Sequence, residues 1–162
     1  MPEQKTAEEM MTKRFLRIST QHTLREAMGI ILYGEQKKQD TGAIAIIGEE
    51  GDFAGIITPH HIVQGLVGEW KAEQEATQAS DFLENVQNRM HQTIGDILPA
   101  PQPTVGLTGK LGELIKIAGE AEYECIPVIE EGRVEGLVYV SDIFKEAASI
   151  ALTPDTEGIV LE

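Results

Sequence analysis

The chain repeats one sequence pattern twice, and this repetition limits its fold more than any other feature does. Leu24 in the first copy matches Leu111, 87 positions later, and Gly55 matches Gly136, 81 positions later. The spacing shrinks because the first copy carries additional residues, mostly within residues 33–42. A repeat of this length predicts two small, similar units that pair and bury a core together.

Each copy predicts a β-hairpin, because two apolar runs flank a short polar turn that contains a glycine. The predicted strands are residues 44–47 and 53–58 in the first copy and residues 126–129 and 134–140 in the second. The turn residues Gly51 and Gly132 can adopt a positive φ, which a tight hairpin requires. A short extended segment precedes each hairpin unit, at residues 15–19 and 103–107.

Helices are predicted before and after each hairpin. Apolar residues recur with helical spacing at Leu24, Ala27, Met28, Ile31 and Leu32, and again at Leu111, Leu114, Ile115 and Ala118. Thr23 and Glu26 have the spacing of a capping box. Two more helices are expected at residues 59–66 and 141–148. The fold class is therefore α/β (α+β), with two β-α-β-β-α repeats packed as a pseudo-twofold pair.

The domain organisation follows from the repeats. We expect a first repeat at residues 7–67, a helical inter-repeat segment at 68–92, a second repeat at 93–150 and a C-terminal tail at 151–162. The inter-repeat helix, predicted over residues 69–92, carries an apolar stripe of Phe82, Leu83, Val86 and Met90. It is either a linker helix that packs on its own module or a dimer contact. We expect residues 1–6 and 153–162 to be mobile.

Composition excludes several classes of partner. The net charge is −14, with 13 Lys and Arg against 27 Asp and Glu, so neither a nucleic-acid polymer nor an anionic membrane surface is an expected partner. The sequence contains no apolar run long enough to span a membrane. The single cysteine, Cys125, excludes an intrachain disulfide. Together with the lack of a secretion signal, this favours the cytoplasm.

The ordered motifs resemble a known family. The first copy contains Met11-Thr12 and Thr23–Ala27, and the second contains Ile126–Ile129 and Gly136–Ile143. This order resembles the cystathionine β-synthase (CBS) domain over residues 7–148. The resemblance implies a pair of repeats with two clefts between them, which in that family commonly hold AMP, ADP, ATP, S-adenosylmethionine or dinucleotides. It also implies association into a homodimer.

The resemblance implies a role for the segment that follows each family glycine. In the family, a carboxylate at the start of a helix accepts the ribose hydroxyls, and a hydroxyl at the strand end donates to a phosphate near the helix N-terminus. The first copy keeps the hydroxyl as Thr58 but has His61 at the carboxylate position. The second copy keeps Asp142, has Tyr139 in place of the hydroxyl and has Ser141 close by. Neither copy is therefore complete.

Two ligand sites follow from the resemblance. The better one comprises Thr104, Val105, Cys125, Ile126, Pro127, Tyr139, Ser141 and Asp142. The weaker one comprises Ile18, Ser19, Ala43, Ile44, Thr58 and His61. Backbone groups near Val105 and Ile126 would contact the adenine edge, and Asp142 would bind the ribose. The alternative is that Asp142 and Thr58 only cap their helices, which contributes about 1 kcal/mol each.

The histidines and the cysteine do not form a recognisable metal or catalytic site. His60 and His61 are adjacent, so on a helix their side chains point about 100° apart and share one ion poorly. Cys125 precedes an apolar strand and is expected to be a small core residue. No nucleophile, phosphate-loop or dinucleotide motif is present. We therefore expect no metal, no required cofactor and no catalysis.

Two functions remain open from the sequence. In the first, an adenosine-type small molecule binds an inter-repeat cleft, shifts the arrangement of the repeats and signals to a partner protein supplied in trans. In the second, the chain is a non-catalytic dimerisation or interaction module whose degraded clefts no longer bind nucleotide.

Overall fold

The chain divides into two compact units, each built around its own hydrophobic cluster. The computed structural model describes residues 4–67, 79–120 and 122–152, and the side chains of residues 67 and 79–82 are outside that description. Arg14–Gln102 form one unit, called here the central unit. Met1–Lys13 and Pro103–Glu162 form the other, called the terminal unit because it contains both ends of the chain.

The described elements alternate between helices and short strands. In chain order they are α1 Ala7–Met10, β1 Arg17–Ser19, α2 Leu24–Gln36, β2 Ile44–Ile47, β3 Phe53–Ile57, α3 Pro59–Val67, α4 Ala79–Arg89, a 3-10 helix Ile94–Ile97, α5 Leu111–Glu120, β4 Cys125–Glu130, β5 Arg133–Tyr139 and α6 Val140–Leu152. The predicted mixed α/β class and the order strand, helix, strand, strand, helix are confirmed in the central unit.

The central unit contains a three-stranded sheet in the order β1-β2-β3. β1 runs parallel to β2, with Ile18 opposite Ile46, and β2 runs antiparallel to β3, with Ile44 opposite Ile57. Apolar residues of α2 and of the sheet fill the space between the layers. The buried cluster consists of Ile18, Leu24, Ala27, Ile31, Ile44, Ile46, Ile57, Ile62 and Ile94.

The terminal unit contains the antiparallel pair β4–β5, with Cys125 opposite Tyr139. The extended segment predicted at residues 103–107 joins β4 only through Val105, in an isolated parallel bridge with Val128. The second repeat therefore keeps one bridge where the first has a full edge strand. The buried cluster of this unit consists of Ala7, Val105, Leu111, Leu114, Ile126, Val128, Val138 and Ile143.

Local sequence signals explain the turns and helix starts. Gly51 and Gly132 adopt φ values of 85° and 79°, so both predicted turn glycines are confirmed. In the second hairpin Glu131 also has a positive φ, of 51°, and Glu130 pairs with Arg133. Glu131 and Gly132 thus form a two-residue turn, whose twist matches that of the flanking strands. Thr23 and Glu26 form the predicted capping box at the start of α2.

The segment that precedes each repeat in the chain belongs to the compact unit that is built from the other repeat. Thr6, which begins the first repeat's leading segment, forms a bridge with Lys110 at the start of α5. Thr93, which leads into the second repeat, forms a bridge with Thr23 at the start of α2. Thr6 corresponds to Thr93, and Thr23 to Lys110, at the 87-residue offset, so the two bridges join equivalent positions of the two repeats. The expected boundary at residues 7–67 therefore differs from the compact unit, which begins at Arg14.

Two sequence-based expectations need correction. The helix predicted over residues 69–92 ends at Arg89, because Met90–Gln92 form a turn that leads into the 3-10 helix. Its first part, residues 69–78, lies outside the described residues. Residues 4–6 are packed rather than mobile, since the Lys5 carbonyl accepts from Leu111 N–H at 3.0 Å. Residues 1–3 and 153–162 lie outside the described residues.

Candidate functional site

The terminal unit places the better candidate residues at the end of its hairpin. Cys125 and Tyr139 lie opposite each other at the beginning of β4 and the end of β5. β5 leads directly into α6, whose first residue is Val140. Asp142 therefore lies in the first turn of α6, where the partial positive charge of the helix N-terminus favours a carboxylate.

Thr104 and Val105 lie alongside β4 at the same hairpin. Val105 N–H donates to the Pro127 carbonyl at 3.0 Å, and the Val105 carbonyl accepts from Ile129 N–H at 2.8 Å. Both backbone groups of Val105 are thus used within the fold. The Val105 N–H is therefore already bonded, whereas the Val105 carbonyl oxygen keeps a second lone pair.

Burial separates the better candidate residues into two groups. Val105, Cys125, Ile126 and Pro127 are buried, with Ile126 fully inaccessible, so they support the hairpin from within the core. The accessible members are polar or amphipathic: Thr104 and Ser141 are exposed, and Tyr139 and Asp142 are half-buried. The oxygen of the Tyr139 hydroxyl is itself buried. The polar groups that a ligand can reach are therefore the hydroxyls of Thr104 and Ser141 and the carboxylate of Asp142.

The central unit brings together only part of the weaker candidate site. Ile44 lies opposite Ile57, so Ala43, Ile44 and Thr58 share one end of the sheet. Ser19 lies opposite Ile47, at the other end of the same β2 strand. Since β2 rises about 3.3 Å per residue, roughly 10 Å of strand separates these two ends. Ser19 does not belong to the same cluster as Thr58.

His61 holds Thr58 by hydrogen bonds rather than pointing its Nδ1 toward solvent. Thr58 N–H donates to His61 Nδ1 at 2.9 Å, and the Thr58 hydroxyl lies 3.2 Å from the same nitrogen. Because a backbone N–H can only donate, Nδ1 is unprotonated in this arrangement and a neutral ring carries its proton on Nε2. Burial lowers the pKa of His61 below its ordinary value, and nearby His60 lowers it further.

The sequence reasoning missed two residues near these positions. His22 Nδ1 accepts from Ser19 N–H at 3.0 Å, which repeats the Thr58–His61 arrangement after β1. Arg17 occupies the position equivalent to Thr104 under the 87-residue offset, and its guanidinium lies 4.0 Å from the centroid of the Phe15 ring. The 87-residue offset therefore gives Arg17, and not Ser19, as the residue beside Ile18 in the weaker candidate site.

The described residues contain no cluster of three or more His, Cys, Asp or Glu that could hold a metal ion. The rings of His60 and His61 are tilted by 54° with centroids 6.4 Å apart. Within the described part of the chain, no helix is both long and apolar enough to cross a membrane.

Comparison with known families and structures identifies relatives of the whole pattern. A family model described as the CBS domain matches residues 7–68 and, separately, residues 94–149. These two matches cover most of the chain and coincide with the two copies of the repeat. A search for curated relatives of the sequence finds no match.

Similar folds occur in crystal structures of the soluble part of a magnesium transporter, of the cytosolic domain of the Mg²⁺ channel MgtE in complex with ATP, and of CBSX2 in complex with AMP. The TM-scores are 0.69, 0.66 and 0.64, and the sequence identities are 18%, 16% and 13%. The alignments cover 92%, 88% and 90% of this chain and 50%, 49% and 98% of those chains. The chain thus spans about half the length of the two magnesium-transport structures. At these identities the similarity establishes the fold alone.

Proposed function

Because the chain belongs to the CBS domain family, we propose that it is a regulatory module that binds an adenosine-containing ligand and signals to a partner protein. The ligand class comprises AMP, ADP, ATP, S-adenosylmethionine and dinucleotides. Two observations on relatives support this class, since the MgtE cytosolic domain was solved with ATP and CBSX2 with AMP. We propose no catalytic role and no required cofactor.

The position of Asp142 carries this proposal. Asp142 is half-buried and lies in the first turn of α6, which directly follows the strand β5. A carboxylate there can accept both hydroxyls of a ribose, while the exposed hydroxyls of Ser141 and Thr104 can donate to a phosphate or a base. The terminal unit is therefore proposed as the primary ligand site, and the central unit, with His61 at the equivalent position, as the weaker one.

A ligand panel tests the proposal. Thermal unfolding of the full chain is measured with AMP, ADP, ATP, S-adenosylmethionine and NAD, each at millimolar concentration. A ligand present at about 100 times its dissociation constant stabilises the folded state by roughly 2.7 kcal/mol, which shifts the unfolding temperature by several degrees. A shift with at least one compound supports the proposal, and no shift with any compound contradicts it.

A matched pair of variants then tests the site. Asp142→Asn removes the charge but keeps the shape, and we expect it to weaken binding by at least about tenfold, because a hydrogen bond to a charged group contributes about 1.5–3 kcal/mol. Glu135→Gln makes the same charge change at an exposed residue of β5 outside the candidate site. Equal affinities for the two variants would exclude Asp142 as the ribose contact.

A second candidate function, a dimerisation or interaction module, is favoured by one observation. Helices α5 and α6 pack together, yet Ile115, Phe144 and Ile150 remain 42%, 70% and 52% exposed. Apolar side chains that lie this open often mark a surface covered by a partner. We propose that this surface is the contact of a homodimer. Sedimentation should then show a dimeric wild type and a weaker dimer or a monomer for Phe144→Ser. A monomeric wild type would contradict it.

We also propose a cytoplasmic location. The support is that Cys125 is the single cysteine of the sequence, so that no intrachain disulfide can form. Expression with a fluorescent tag and fractionation of the cells would test this assignment.

A further inference from the structure

All four histidines of the chain lie in the central unit. They are His22, His60, His61 and His91, and residues 1–13 and 103–162 contain none. Histidine is the side chain whose ordinary pKa lies between pH 5 and 8.

One of these histidines is built into the start of a helix. Thr58 is the last residue before α3, and its N–H donates to His61 Nδ1 at 2.9 Å while its carbonyl accepts from His61 N–H at 3.0 Å. The first of these bonds is the half of a capping box in which the N3 side chain accepts from the N-cap N–H, with an imidazole nitrogen in the place of the usual carboxylate. The pattern requires a free lone pair on Nδ1.

We propose that the Thr58–His61 contact is a pH-sensitive cap, which holds the first turn of α3 at neutral pH and releases it when His61 takes up a proton. A protonated imidazole has an N–H on both nitrogens and no acceptor. Nδ1–H would then face the Thr58 N–H, donor against donor, and the bond from the Thr58 N–H would be lost, although the Thr58 hydroxyl, 3.2 Å from Nδ1, could still accept from the ring. The proposal involves two residues of the weaker candidate site, but it does not rest on the proposed ligand binding.

Burial favours the neutral form of His61. It lowers the pKa of His61, and His60 on the same helix lowers it further. α3 packs against β3, which has no ionisable residue, against α4, which contains Asp81, Glu84 and Arg89, and against the 3-10 helix, which contains Asp96. The Asp96 carboxylate accepts from Thr93 N–H at 3.4 Å.

The sign of the pH effect follows from this lowered pKa. A group whose pKa is lower in the folded state than in the unfolded state favours folding in its deprotonated form. The stabilisation from the cap is therefore complete above the ordinary histidine pKa of about 6.5. It is lost as the pH falls through the lower pKa of folded His61.

Amide hydrogen exchange of the full chain tests the cap. Protection factors for Thr58, His61 and Ile62 are measured at pH 7.5 and pH 5.0 and corrected for the intrinsic exchange rate. We expect the wild type to lose roughly fivefold in protection at these amides on acidification, the factor typical of a lost cap. Unchanged protection in the wild type would overturn the proposal.

Two variants separate the cap from general acid effects. His61→Asn places a neutral oxygen acceptor where Nδ1 lies, so its protection should be nearly the same at both pH values. His60→Gln keeps the cap and should retain the pH dependence of the wild type. If His61→Asn loses protection on acidification as the wild type does, another group causes the effect and the proposal fails.

Discussion

The terminal and central units share a frame but differ at the positions that would meet a ligand. Thr58 and Tyr139 are equivalent under the 81-residue offset, as are His61 and Asp142. The terminal unit thus presents a carboxylate in the first turn of its final helix, whereas the central unit presents an imidazole that is hydrogen-bonded to its own backbone. The two repeats keep the packing residues in common and diverge at the polar ones.

Each repeat also contains a glycine that lies close to the segment that precedes the other repeat. A Cβ added to Gly136 would lie 2.6 Å from Met11 Sδ and 2.9 Å from Met11 Cβ. A Cβ added to Gly55, the equivalent residue, would lie 3.2 Å from Leu98 Cδ2. Met11 and Leu98 are themselves related by the 87-residue offset. Each glycine therefore makes room for the leading segment that packs in its unit.

The largest expected effect comes from truncating the matched core leucines. Leu24 and Leu111 are 0% and 3% exposed, one in each buried cluster. We expect Leu24→Ala and Leu111→Ala each to lower the free energy of unfolding by about 3 kcal/mol, from lost burial and the cavity left behind. Urea unfolding measures both. A loss below about 1 kcal/mol in one variant would show that the two cores are not equivalent.

The contact between Gly136 and the leading segment should give the next largest effect. Gly136→Ala forces the Met11 side chain to move, and we expect a loss of about 1–3 kcal/mol in the free energy of unfolding. Combining it with Met11→Ala should recover part of that loss, because the smaller side chain frees the space. A double-mutant cycle measures the coupling. Strict additivity would contradict the contact.

Removing the cap of α2 should have a smaller effect. Thr23→Ala removes a hydroxyl that accepts from Glu26 N–H at 3.1 Å, and we expect a loss of about 1 kcal/mol in the free energy of unfolding.

The Thr23 N–H and hydroxyl hold the pKa of Glu26 below its ordinary value of 4.5. The contribution of Glu26 to folding is therefore complete above about pH 4.5 and lost as the pH falls through the lowered pKa. Unfolding curves of Glu26→Gln should lack this acid dependence.

The smallest effect is expected at the ion pair that links the leading segment to α6. Lys5 Nζ lies 2.7 Å from Glu146 Oε1, and the two side chains are 52% and 28% exposed. The hydrogen bond to Glu146 raises the pKa of Lys5 above 10.5, so its contribution is complete below pH 10.5 and lost as the pH rises through the raised pKa. Lys5→Met should change the unfolding midpoint only slightly, and high salt should remove the difference.

Local features of the fold could be predicted from the sequence because their causes are local. The hairpin turns depend on Gly51 and Gly132, and the start of α2 depends on the spacing of Thr23 and Glu26. The packing of each leading segment in the unit of the other repeat could not be predicted, since the bridge between Thr6 and Lys110 joins residues more than a hundred positions apart. Nothing in a local window specifies such a partner.

The place of a candidate residue within its own helix or strand was predictable, whereas its neighbours across the sheet were not. Asp142 was expected in the first turn of its helix, and the structure places it there. The grouping of Ser19 with Thr58 depended on which end of β2 each residue joins, and only the strand register decides that. The hydrogen bonds of His61 depend on a rotamer and a tautomer, neither of which the sequence pattern encodes.

Amide chemical-shift mapping with AMP tests the central claim, that the terminal unit holds the nucleotide and the central unit does not bind it as well. Titration of the full chain should first perturb the amides of Thr104, Val105 and Ser141–Ile143. The amides of residues 58–62 should change later or not at all. Perturbations that begin at residues 58–62, or that spare Ser141–Ile143 at saturation, would contradict the assignment of the ligand site to Asp142.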